Sequence, residues 1–137
     1  MIGISSKTIY AVAALEELGK SSDRKVLKIK EIAANADIPQ NFLEQILLEL
    51  KKQGLLASIK GAHGGYKLAK DLKDITLKDV VLILESDMFS NTQETDNPGL
   101  KLFWEDMLSN VSKVFEIPLS EIKNYQLKAT QTLNYSI

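Results

Sequence analysis

Apolar residues recur at three- and four-residue steps in five stretches of the chain, and each stretch predicts a helix with one buried side. The most completely marked runs from Ile38 to Gly54. Phe42, Leu43, Ile46, Leu47 and Leu50 form its apolar face. Pro39 suits a first helical position, where a missing N–H costs nothing, and Gly54 suits a left-handed residue just past the end. Gln40, Asn41, Glu44, Gln45, Lys51 and Lys52 take the opposite side, with amides and a carboxylate toward the N-terminal end and lysines toward the other. Leu48 also projects to that polar side, and the pattern does not account for it.

Earlier in the chain, Ser5 or Ser6 caps a helix reaching about Gly19. Ile9, Val12, Ala13 and Leu15 supply part of its buried side, while Glu16 and Glu17 face out. Ser21-Ser22-Asp23-Arg24-Lys25 reads as a polar turn, and Val26-Leu27 as a short extended piece able to pair with a later strand. Ile29 through Ala36 is a short helix with Ile29, Ile32 and Ala33 inward. The turn out of it is Ala36-Asp37-Ile38, where Asp37 tolerates a left-handed conformation better than most residues.

Beyond Gly54 the period changes. Residues 55–60 and 66–69 read as two short strands around Gly61-Ala62-His63-Gly64-Gly65, with Lys60 and Lys67 at the base of the hairpin. Three glycines in five residues permit positive φ angles and close approach of a partner to the backbone. A short helix, a turn, a capped helix with a polar outer face and a basic, glycine-tipped hairpin together predict a winged helix-turn-helix, mainly α with a small β-hairpin. In such a unit the polar face of the capped helix reads base edges, and the surrounding lysines meet phosphate.

Downstream, Thr76 caps a helix over 77–85, with Asp79 loosely completing a capping box and Leu77, Val80, Val81 and Leu84 as its buried stripe. Residues 86–98 have no periodicity and read as a loop. A long helix follows over 99–115, in which Leu100, Trp104, Met107, Val111 and Val114 alternate by four and three to make a heptad seam, with Phe103 alongside. A small winged helix cannot bury such a seam alone, so a second copy of the chain is the expected cover; the alternative is that it folds back on the first helix. Pro118-Leu119-Ser120-Glu121-Ile122 opens a short terminal helix, and Tyr125–Ile137 is expected to fray.

Composition adds one asymmetry. The whole chain carries a formal charge of −1, but residues 1–70 hold eleven Lys+Arg against seven Asp+Glu, and residues 71–137 hold six against eleven. A basic half joined to an acidic half fits a DNA-facing part and a part with another task. The absence of cysteine removes disulfides, thiol redox sensing and thiolate-ligated metal centres. The lack of a long apolar run predicts no membrane span, and the polar opening Met1–Lys7 is unlike a signal peptide, so a cytoplasmic location is expected.

Other chemistries find little support. His63, the single histidine, sits between glycine-rich neighbours at the hairpin tip, a place for a phosphate or groove contact or for a solvated side chain rather than a metal ligand. Glu85, Asp87, Glu94 and Asp96 match no cation-binding loop. No lysine followed by serine or threonine closes the glycine stretch, so it is not a nucleotide phosphate loop. With one histidine no Ser/His/Asp arrangement is indicated. Neither an enzyme, a metal site nor a cofactor is expected. The candidate DNA-binding set is Gln40, Asn41, Glu44, Gln45 and Lys51 on the marked helix and Lys7 and Tyr10 on the first. Ser58, Lys60, Gly61, His63, Gly64, Gly65 and Lys67 on the hairpin complete it.

Several of these stretches together resemble one family. Ser5-Ser6-Lys7-Thr8-Ile9-Tyr10-Ala11-Val12, Ile29-Lys30-Glu31-Ile32-Ala33 and Ile38-Pro39-Gln40-Asn41-Phe42-Leu43-Glu44-Gln45 resemble the helices of the Rrf-two (Rrf2) family of bacterial winged-helix regulators, of the IscR/NsrR/CymR type. The strongest likeness is residues 54–68, Gly54 to Leu68, which resemble the family's wing signature. Ile75-Thr76-Leu77-Lys78-Asp79-Val80 and Pro118-Leu119-Ser120-Glu121-Ile122 also fit, so the resemblance spans nearly the whole chain. It implies a homodimeric DNA-binding transcription regulator, usually a repressor, with a long dimerisation helix. Relatives that sense iron, nitric oxide or redox state carry three cysteines in the loop before that helix, and here the loop has none. The chain is therefore more similar to the cluster-free branch, where a small metabolite or a regulatory protein (in the cysteine-metabolism regulators, a cysteine-biosynthetic enzyme) supplies the signal. The expected division is a DNA-binding region over 1–85, a loop over 86–98 and a dimerisation part over 99–137. The competing expectation is a winged-helix module that binds protein and not DNA specifically.

Overall fold

The computed structural model describes residues 3–20, 23, 25–90 and 94–135, and the side chains of the last two of these are left aside. Ser21, Ser22 and Arg24 of the expected polar turn, Asn91, Thr92 and Gln93 of the expected loop, and Ser136 and Ile137 lie outside the described residues. Helices α1 (Ser6–Gly19), α2 (Ile29–Ala36) and α3 (Gln40–Lys52) are followed by strands β1 (Leu56–Ile59) and β2 (Gly65–Leu68). Helices α4 (Leu77–Leu84), α5 (Pro98–Val114) and α6 (Ile122–Tyr135) complete the chain.

Helix α3 is pinned by Leu43, Ile46, Leu47 and Leu50, all with no exposed surface, each contributing about 1.5–3 kcal/mol of burial. It ends as a left-handed cap requires. Gly54 has φ +81°, its N–H donates to Lys51 O at 3.0 Å, and the N–H of Leu55 donates to Leu50 O at 3.0 Å. Pro39 sits one place earlier than expected, at the N-cap rather than the first helical position. Phe42 is not a core residue. It is 52% exposed and lies against Tyr10 of α1, ring centroids 6.3 Å apart. Position 42 turns toward the flank of α3 that faces α1, where two aromatic rings cover each other in place of the core.

Helix α1 buries Thr8, Ala11, Ala14, Leu15 and Leu18. Ile9, expected inward, is 60% exposed, while the Glu17 side chain is only 11% exposed and holds Lys20 at 2.8 Å. The buried stripe runs through Thr8, Ala11, Leu15 and Leu18 at steps of three, four and three, which leaves position 9 on the outer side of the helix. Asp37 takes the left-handed conformation (φ 53°, ψ 54°) and passes the chain from α2 into α3, with the Ile38 N–H donating to Ala33 O at 3.0 Å.

The two strands pair antiparallel, Leu56 opposite Leu68 and Ile59 opposite Gly65. Leu27 adds a one-residue third rung: its N–H donates to Tyr66 O at 2.9 Å and its carbonyl accepts from Tyr66 N–H at 2.8 Å. Thr76 and Asp79 form a full reciprocal capping box at α4. Past α5 the chain returns to that cap, where Leu77 N–H donates to Ile117 O at 2.9 Å and Leu119 N–H to Ile75 O at 2.8 Å. Phe115 is buried there, edge-on to Phe89. The segment expected to fray from Tyr125 is helical as far as Tyr135, part of a helix of 14 residues held to the body by Leu119, Ile122 and a Gln126 amide on Glu16.

Candidate nucleic-acid interface

On α3 the outward stripe is Asn41, Gln45, Leu48 and Lys52, at steps of four, three and four, so all lie within one sector of the helix surface, and all four are exposed. Gln40, Glu44 and Lys51 share the side toward the hairpin. Phe42 and Glu49 share the side toward α1. The apolar contacts of Leu43, Ile46, Leu47 and Leu50 aim the remaining faces outward, so the core decides which residues a partner meets.

The sequence-derived set is spread over several faces. Gln40, Ser58, Lys60, Gly61, Gly64 and Gly65 line one groove of about 650 Å³ between the N-terminal end of α3 and the hairpin. Lys7 and Tyr10 stand on the α1 flank, where the Lys7 ammonium lies 2.8 Å from Glu49 Oε1 and Tyr10 covers Phe42. Lys67 pairs across the ribbon with Ala57, on the opposite face from the Ser58–Tyr66 pair that lines the groove. Of the hairpin tip, Gly61 and His63 are exposed. Gly64 is buried, with its N–H donating to Gly61 O at 3.0 Å, and a Cβ there would collide with Ile59 O. A Cβ on Gly65 would collide with Leu27 O. These two glycines therefore shape the hairpin.

Two residues were missed. Lys28 and Lys30, at the start of α2, line the same groove as Lys60. Lys28 is the N-cap of α2, and its N–H donates to Glu31 Oε1 at 3.3 Å. The available signal was Lys-x-Lys directly after Val26-Leu27, once Leu27 is paired with Tyr66 and draws both lysines beside the hairpin. Three lysines converging on one groove beside an amide-bearing helix end suit a phosphate backbone entering between helix and hairpin.

Elsewhere, a cleft of about 720 Å³ lies between the C-terminal end of α1 and the start of α6, floored by Leu68, Leu72, Leu119 and Ile122, with Lys20, Lys73 and Lys123 at its rim. Donating to the Glu17 carboxylate at 2.8 Å favours the charged form of Lys20 and raises its pKa above the usual lysine value. On α5 the seam stands open: Leu100 is 50%, Phe103 52%, Trp104 47%, Met107 43% and Val114 73% exposed. Val111 is half-buried, and Phe103 and Trp104 meet edge to face at 5.1 Å.

Comparison with known proteins places this geometry. The sequence profile of the Rrf2 family, described as an iron-dependent transcriptional regulator, matches residues 4–123. An Rrf2-like HTH-type transcriptional regulator of Rhodobacter capsulatus is 43% identical over 81 residues, 57% of this chain and 54% of the relative, so the chain spans about half of that protein. The HTH-type transcriptional regulator CymR of Bacillus subtilis is 29% identical over 124 residues, covering 89% of this chain and 90% of CymR. The solved structure of CymR, titled the global cysteine regulator of B. subtilis, superposes with a TM-score of 0.78 at 29% identity, covering 91% of this chain and 98% of that one.

Iron held by a thiolate-ligated cluster does not fit the residues present. The chain has no cysteine, and among the described residues no group of three or more His, Asp or Glu side chains could hold a metal ion. Glu85, at the mouth of the 86–98 loop, spends its carboxylate on the Ser5 N–H and the Thr8 hydroxyl.

Proposed function

The chain belongs to the Rrf2 family of transcriptional regulators, and from that premise we propose that it is a sequence-specific DNA-binding repressor, acting as a cytoplasmic homodimer on an inverted-repeat operator without an iron–sulfur cluster. The observation that carries the DNA reading is the groove between α3 and the hairpin, where Lys28, Lys30 and Lys60 surround Gln40 and Ser58. The outward stripe of α3 enters the major groove and Gln40, Asn41, Glu44 and Gln45 meet base edges. The lysines hold phosphate and the Gly61–His63 tip follows the backbone.

Residues 1–85 are the DNA-binding region, 86–98 the connecting loop and 99–137 the dimerisation part. The open seam on α5 supports the dimer, since Leu100, Trp104, Met107 and Val114 exposed along one heptad stripe are unfavourable in water without a partner. Two subunits then present two reading helices about one DNA turn, or a small multiple of it, apart. A small-molecule effector or a regulatory protein supplies the signal, and the cleft beside α6 is the place for a small molecule. No helix among the described residues is long and apolar enough to cross a membrane.

The test is titration of a duplex recovered from bound genomic fragments at low and physiological salt. Each phosphate neutralised adds about 0.9 to the logarithmic salt slope, so a steep fall in affinity is expected. A flat response would instead favour a winged-helix module that binds protein.

A further inference from the structure

Leu48 is 46% exposed on the outward stripe of α3, and α3 has no need of it for the core. A lone exposed leucine is ordinary on most surfaces. This one is placed between Asn41 and Gln45 on one side and Lys52 on the other, in the middle of the sector that the core turns away from itself. Amides there can pair with base edges and the lysine with phosphate, but an isobutyl group can do neither. In a major groove its one apolar counterpart is the 5-methyl group of thymine, which projects into the groove beside the donor and acceptor atoms.

We propose that Leu48 is a specificity-determining residue that packs on the 5-methyl group of one thymine in each half-site. The inference rests on the DNA-binding function proposed above. Leu48 lies one turn beyond Glu44, about 6 Å along the helix axis. The thymine is thus within roughly two base-pair steps of the pair read by Glu44, taking about 3.4 Å per step. Against cytosine the same leucine would face a polar amino group without a partner, so the contact also discriminates by exclusion.

The experiment begins with selection of bound duplexes from a random pool using the full chain. Each thymine of the selected duplex is then replaced in turn by deoxyuridine, which removes only the methyl group. Wild-type protein should bind about fourfold more weakly for each contacted methyl lost, and at one symmetry-related pair of positions only. Leu48→Ala should bind the thymine and uracil duplexes alike while keeping its other base preferences, and Leu48→Met should retain the sensitivity. The proposal is overturned if no uracil substitution weakens the wild type, or if Leu48→Ala is weakened at the same position to the same degree. A pool that yields no enriched sequence sinks the DNA-binding reading as well, and so is distinguished from failure of the Leu48 assignment alone.

Discussion

The Lys7 ammonium on α1 lies 2.8 Å from Glu49 Oε1 on α3, so a lysine expected from the sequence to meet phosphate is held by the helix proposed to read bases. Both side chains keep more than a third of their surface in water, 37% and 38%, so the pair contributes at most about 1 kcal/mol to stability. Its weight falls on the charge presented to DNA. Glu49→Gln should free Lys7, tighten binding to all duplexes alike and steepen the logarithmic salt slope by about 1 per subunit, with little change in the unfolding midpoint. A weaker complex with an unchanged slope would mean that Lys7 never reaches phosphate.

Lys60 and Glu44 should separate positioning from reading. Lys60 lines the groove with Lys28 and Lys30, so Lys60→Ala is expected to weaken every sequence by a similar factor. Glu44→Ala should instead relax preference at one base pair, by about 1–3 kcal/mol of discrimination. Selection from a random pool with each variant checks this; a changed consensus from Lys60→Ala and an unchanged one from Glu44→Ala would reverse the roles.

Met107 sits in the open heptad of α5, 43% exposed in the single chain. Met107→Asp would bury an unpaired carboxylate in both subunits of a dimer, so sedimentation should show monomers with most of the specific affinity lost. The region around Leu43, Leu47, Ile32 and Leu55 has its own buried core and should stay folded, seen as retained helical circular dichroism. A mutant that remains dimeric would place the interface elsewhere.

Glu85 joins the start of the 86–98 loop to the start of α1. It accepts from the Ser5 N–H at 3.1 Å and the Thr8 hydroxyl at 2.6 Å, and Thr8 is 1% exposed. Glu85→Ala leaves the Thr8 hydroxyl buried without that acceptor and should cost about 1–3 kcal/mol. A lower denaturant midpoint at unchanged slope is the expected readout, with partial recovery in Glu85→Gln. An unchanged midpoint would show that water replaces the carboxylate.

What the sequence determined by itself was local. The caps at Thr76 and Gly54, the left-handed turn at Asp37, the strand-and-glycine pattern of the hairpin and the heptad of α5 were all legible, because each depends on residues within one or two turns of each other. Even the pairing of Leu27 with the hairpin was anticipated from a two-residue extended piece. What only the tertiary structure decided was which of two plausible faces turned inward and which side chains met across elements. Phe42 and Ile9 look like core by hydropathy, yet α1 turns Thr8, Ala11, Leu15 and Leu18 inward and α3 turns Leu43, Ile46, Leu47 and Leu50 inward, and both are left outside. Lys7–Glu49, Thr8–Glu85 and the convergence of Lys28, Lys30 and Lys60 join residues distant in sequence, and periodicity carries no information about them. The terminal helix was misjudged for a related reason: its polar run resembles a frayed end, and its attachment at Leu119, Ile122 and Gln126 exists only once the chain has folded back beside α1.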